Sequence, residues 1–86
     1  MQDKFQNAIN KGSRAAERLN DPVFKEAIEA LRAEYIKLWA SSPNAEVREG
    51  LWRRYTQIDE VCQHLTTLMH NGKLAKAQIE QLNKAA

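Results

Sequence analysis

Eighty-six residues make one domain at most, and the single cysteine, Cys62, excludes a disulfide-stapled scaffold. Thirteen Lys and Arg against eleven Asp and Glu leave a net charge of +2, too even a balance for a general nucleic-acid binder. No apolar run approaches the roughly 20 residues of a membrane span, and Met1 to Asn10 lacks the apolar core of a secretory signal, so the expected location is the cytoplasm of whichever cell makes the protein.

Helix punctuation divides the chain into four expected segments. The first runs from about Gln2 to Leu19. Its apolar residues (Phe5, Ala8, Ile9, Ala15, Ala16, Leu19) are sparse and Gly12-Ser13 interrupts them, so residues 1–20 read as a weaker N-terminal helix. Asn20-Asp21-Pro22 follows: the Asp21 carboxylate suits a helix cap, and Pro22 suits the first helical position, where its missing N–H would be unpaired anyway. The second segment runs from Pro22 to about Ala40. Ser41-Ser42-Pro43-Asn44 ends it and caps the third, which extends to Asn71 and is roughly 40 Å long if straight. Asn71-Gly72 reads as a helix stop, because glycine takes the left-handed conformation after a cap at no steric cost. The fourth segment starts at Lys73, with Leu74, Ala75, Ile79 and Leu82 on its apolar side.

No run alternates with period two, so strands are not expected. In the second segment Phe24, Ile28, Leu31, Tyr35 and Leu38 step by four, three, four and three, a continuous seam on one helix face. Val47, Leu51, Ile58, Val61, Cys62, Leu65, Leu68 and Met69 form another on the third. The short Ser/Pro link makes these two helices antiparallel neighbours. The expected fold is all-α: one domain over 1–86, with a core helical hairpin at 22–71, a C-terminal helix at 73–86, and assembly into a homo-oligomeric helical bundle. Self-association is expected because a domain this small has few other sources of stability.

Several residues fall outside this scheme. Arg54 lies within the apolar seam, between Leu51 and Ile58. Either its stem packs while its head reaches water or a carboxylate, or it faces a pocket or an oligomer axis and meets an anion. Beside the seam runs a stripe of Arg48, Trp52, Tyr55 and Asp59, and the second helix carries Lys25, Arg32, Ile36 and Trp39. The terminal helices cover these stripes, or they belong to a subunit interface or ligand wall; Trp, Tyr and Arg dominate binding hot spots. Leu51-Trp52-Arg53-Arg54-Tyr55 combines planar cations with π-faces, the chemistry that holds a nucleotide by its phosphate and base. Gly50 is either part of a frayed first turn or a point of close approach. Cys62 lies on the seam and reads as structural.

Catalytic constellations are missing from the pattern. His64 and His70, six residues apart, point to nearly opposite sides of a helix, and Cys62 and His64 do not share a face, so no metal site is expected. The glycines are isolated and form no phosphate loop. Carboxylate pairs such as Glu26/Glu29 and Glu46/Glu49 read as solvated helix faces. No catalytic residue, cofactor or self-contained active site is expected.

Four stretches carry a resemblance: Glu17-Arg18-Leu19-Asn20-Asp21-Pro22-Val23-Phe24, Glu34-Tyr35-Ile36-Lys37-Leu38-Trp39, Arg48-Glu49-Gly50-Leu51-Trp52 and Asn71-Gly72-Lys73-Leu74-Ala75. Over about residues 15 to 82 the chain resembles a group of short helical proteins of tailed bacteriophages. The resemblance implies a viral origin and a role in the host cytoplasm during infection, and it brings no catalytic residues. The function expected is non-enzymatic: a homo-oligomer that binds an anionic nucleotide-type ligand and sequesters a host anti-phage signal. Arg54, Arg48, Trp52, Tyr55, Arg53 and Trp39 are the expected ligand-binding residues. The alternatives are a head-assembly or DNA-packaging accessory that contacts DNA or a viral structural protein, and an inhibitor that docks on a host protein by a helix face.

Overall fold

The computed structural model describes residues 2–85. It comprises three helices, α1 (Gln2–Asn20), α2 (Pro22–Ser41) and α3 (Ala45–Ala85). No strand occurs among the described residues, in agreement with the all-helical expectation. Met1 and Ala86, the ends of the expected 1–86 domain, lie outside the described residues.

The two proline-marked breaks form as their residue types dictate. Asp21 is extended (φ −69°, ψ 122°), and its Oδ1 accepts from the backbone N–H groups of Val23 (2.8 Å) and Phe24 (3.2 Å). Asn44 does the same for α3, accepting from Glu46 at 2.9 Å and Val47 at 3.3 Å. Each cap satisfies donors that the first helical turn leaves open.

The break expected at Asn71-Gly72 does not occur. α3 runs through it for 41 residues, so there is no separate C-terminal helix at 73–86. Nor does Gly12-Ser13 interrupt α1, which is continuous over 19 residues. Both glycines are buried, and each is there for the other. A Cβ on Gly12 would lie 2.9 Å from Gly72 Cα and 2.9 Å from the Leu68 carbonyl oxygen; a Cβ on Gly72 would lie 2.9 Å from the Ala8 carbonyl oxygen. The missing side chains let two helix backbones touch, which is a packing role and not a stop signal.

α1 lies along the C-terminal half of α3 and α2 along its N-terminal half. Phe5 shares a cleft with Gln78 and Leu82, Gly12 meets Gly72, and Leu19 and Phe24 line a hollow with Cys62. Further on, Tyr35 and Trp39 lie with Leu51 and Tyr55. α1 and α2 touch each other little, while both pack on α3, α1 the more extensively. The molecule is therefore a rod two helices thick, 65 × 24 × 16 Å, whose long axis is set by the roughly 61 Å of α3. Its radius of gyration is 18.5 Å, against about 12 Å for a compact chain of this length.

Such a rod covers only one stripe of each helix. Ala15 and Ala75 are the only buried apolar residues among those described, and no large side chain is fully buried. The accessible surface is 6972 Å², whereas a folded monomer of this mass exposes about 5,200 Å².

The covered stripe differs from the expected seams. On α3 it passes through Leu51, Tyr55, Ile58, Cys62, Leu65, Met69, Gly72, Ala75 and Ile79. The step of four from Leu51 brings Tyr55, not Arg54, beneath α2. Arg54 is exposed, so its guanidinium meets no apolar core. Val47 and Val61, spaced seven from Arg54 on either side, share that outer flank and are 50% and 55% exposed. On α2, Phe24, Ile28 and Tyr35 are partly covered, but Leu31 and Leu38 turn outward and Arg32 turns in. Arg32 Nη2 donates to Asp59 Oδ1 at 2.6 Å across the α2–α3 contact. Its Nε is buried without a hydrogen-bond partner among the described residues. Arg32 and Asp59 belong to the two off-seam stripes noted in the sequence, and the ion pair joins them.

Candidate functional site

Near the end where residues 42–44 link α2 to α3, Tyr35, Ile36 and Trp39 of α2 face Leu51, Trp52 and Tyr55 of α3. Each helix contributes residues at i, i+1 and i+4, the spacing that places one broad edge of a helix against a neighbour. Together they line a cleft of about 150 Å³. Trp52 and Tyr55, one turn apart, stack with ring centroids 5.5 Å apart and planes inclined by 12°. That is within the range for offset aromatic pairs. Trp39 is 45% and Trp52 54% exposed, so the cleft presents two indole surfaces to solvent.

The expected ligand-binding residues divide into two groups. Trp39, Trp52 and Tyr55 come together on the cleft wall, joined by Tyr35 and Ile36, which the sequence reading placed on different faces of α2. Arg48, Arg53 and Arg54 are exposed and do not line it. Arg53 Nη2 bonds Glu49 Oε1 at 3.1 Å, an exposed pair one turn apart on α3. Arg48 and Arg54 form no ion pair among the described residues. Arg48 stands four residues before Trp52, hence on the same side of α3 as the cleft. Arg54 stands on the opposite flank.

A cleft this size is smaller than the roughly 300 Å³ at which small-molecule sites begin. It holds one planar ring, not a whole nucleotide with its phosphates. Two-sided enclosure of a larger ligand would require a second surface over the exposed indoles.

Sequence reasoning missed a larger opening of about 790 Å³ at the other end of the rod, lined by Phe5, Gln78, Gln81, Leu82, Lys84 and Ala85. It forms where the first turns of α1 meet the last turns of α3, and Leu82 stays 56% exposed beside it. The signal available was Phe5, the one aromatic residue of α1. This opening lacks the paired π-faces of the aromatic cleft.

Cys62 is partly buried, where α1, α2 and α3 converge at Leu19, Phe24 and Ile28. Beyond its own turn of α3, no atom lies within 4 Å of where a Cβ on Gly50 would be, so no other helix approaches there. No cluster of metal-ligating side chains occurs among the described residues. No helix among them is long and apolar enough to cross a membrane.

Comparison with family models, curated proteins and solved structures returned no match to this chain. None of these comparisons links the chain to proteins of tailed bacteriophages.

Proposed function

We propose that the chain is a non-enzymatic subunit of a homo-oligomeric helical bundle of bacteriophage origin that binds partners in the host cytoplasm. The single observation that carries this reading is the thinness of the rod. Val23, Ile36, Trp39, Val47, Trp52, Val61, Leu74 and Leu82 are 45 to 73% exposed, because each helix has a neighbour on one side only. A monomer seldom leaves so much large apolar surface in water. Association is the route by which an 86-residue chain without disulfides gains a core. The contact of α2 with the first half of α3 serves as the antiparallel hairpin of the bundle.

A second observation favours a ligand of nucleotide type. The Trp52–Tyr55 stack and Trp39 offer π-faces for a base, and Arg48 stands one turn away for a phosphate. With a second subunit over the cleft, this pocket sequesters a nucleotide signal of host defence.

Both tryptophans of the protein line this one cleft, so intrinsic fluorescence reports on it directly. Titration with cyclic dinucleotides, ADP-ribose and mononucleotides should quench the emission saturably, and Arg48→Met should weaken the effect. Absence of quenching by every nucleotide sinks the sequestration reading. Contact with DNA or a viral structural protein during head assembly, or a helix face docked on a host protein, then becomes the better account of the same surface.

A further inference from the structure

The charges of the rod are segregated along its length. The half built from α1 and the C-terminal part of α3, residues 2–20 and 63–85, carries seven Lys and Arg (Lys4, Lys11, Arg14, Arg18, Lys73, Lys76, Lys84) against three acids (Asp3, Glu17, Glu80), a balance of +4. The other half, residues 21–62, carries six basic side chains against eight acidic ones, a balance of −2. The boundary falls at the hollow that Leu19, Phe24 and Cys62 line. The near-neutral total conceals a dipolar rod whose cleft flank carries exposed apolar side chains in both halves: Ile36, Trp39 and Trp52 in one, and in the other Leu74, which helix spacing sets on the same side of α3 as Trp52.

We infer that the occupant of the open face is a second copy of this chain, laid side by side and antiparallel. This rests on the oligomeric reading above and gives it a geometry. In a parallel pair the +4 halves would face each other, and so would the −2 halves. In an antiparallel pair each basic half lies on the acidic half of its partner. Charges within about 8 Å, the screening length at physiological salt, decide between such registers. Either pairing has a two-fold axis, the commonest symmetry of soluble oligomers, so the charges choose between them. Pairing also doubles the thickness at every level from two helices to four, which is the cross-section of a helical bundle. The surface is adequate: each chain exposes about 1,800 Å² more than a compact monomer of its mass, above the roughly 800 Å² per partner of a standard interface.

The test places single cysteines at the two ends of α3 on a Cys62→Ala background. Ala45→Cys and Asn83→Cys are both exposed positions and leave the charge pattern intact. Donor- and acceptor-labelled samples are mixed, refolded together and examined by energy transfer. Strong transfer is expected between Ala45→Cys and Asn83→Cys subunits, and weak transfer within either variant alone, where the labels lie nearly a rod length apart. Strong transfer within each variant and weak transfer between them would show parallel pairing and overturn the orientation while keeping the oligomer. Comparable transfer in all three combinations would overturn a defined antiparallel pair. No transfer in any combination, at any concentration, would remove the oligomer as well.

Discussion

Gly12 and Gly72 meet backbone to backbone across the α1–α3 contact: a methyl group added to Gly72 would lie 3.0 Å from Gly12 Cα, and one added to Gly12 would lie 2.9 Å from Gly72 Cα. The obstructing atoms are main chain, so neither helix relaxes by turning a side chain. Alanine at either position gains about 1 kcal/mol of helix propensity, but forcing the helices apart costs typically 1–3 kcal/mol. Gly12→Ala and Gly72→Ala are each expected to destabilise the fold by about 1 kcal/mol net. Thermal melts at one fixed protein concentration should show this as a drop in Tm of about 4–8 °C.

Gly50 provides the control. With no atom beyond its own helical turn within 4 Å of the added Cβ, Gly50→Ala meets no obstruction from another helix. It should raise stability by up to about 1 kcal/mol through propensity alone. A loss of stability in the same melts would mean that another subunit approaches at this point.

Arg32 and Asp59 hold α2 to α3 by a 2.6 Å contact at side chains 34% and 42% exposed. Pairs this accessible contribute about 0.2–1 kcal/mol. A double-mutant cycle with Arg32→Ala and Asp59→Ala should return a coupling in that range, smaller at 1 M salt than at 0.1 M because screening shortens from about 10 Å to 3 Å. A coupling of zero at low salt would show that the contact does not persist in solution.

These elements were unequally legible in the sequence. The caps at Asp21 and Asn44 were readable because a short polar side chain beside a proline at a helix entry has one economical use. Gly72 was misread because a glycine after asparagine marks helix ends and also permits close helix crossings. The distinguishing signs were present: good helix formers continue through Lys73-Leu74-Ala75-Lys76-Ala77, and small residues at Ala8, Gly12 and Ala15 recur on the first helix at matching intervals. Arg54 was placed in the core because a seam drawn through Val47, Leu51 and Ile58 passes over it. The real stripe steps from Leu51 to Tyr55, and only the path of α2 decides that. Of the candidate site, Trp39, Trp52 and Tyr55 were legible because they lie in stripes beside the apolar seams, whereas Tyr35 falls on a seam and its place on the cleft wall depends on how α2 lies on α3. The separation of the arginines from these aromatics was not legible, because it depends on which flank of α3 each helix leaves open.

Arg54 is now assigned to the surface, and Arg54→Met should change stability by no more than about 0.5 kcal/mol, as for other exposed positions. Cys62→Ala, at the junction of the three helices, should lower stability by about 1 kcal/mol and leave nucleotide-dependent tryptophan quenching unchanged. A folded Cys62→Ala protein that has lost quenching would contradict the structural role given to the thiol.

The thin rod leaves its large apolar side chains in water unless chains associate, and molar mass in solution decides whether they do. Light scattering on the eluting protein, over a dilution series at physiological salt, should give an integral multiple of the 9.9 kDa chain mass, with 2 as the multiple for the antiparallel pair. A mass of 9.9 kDa at every concentration, with the helical circular dichroism spectrum intact, would contradict self-association.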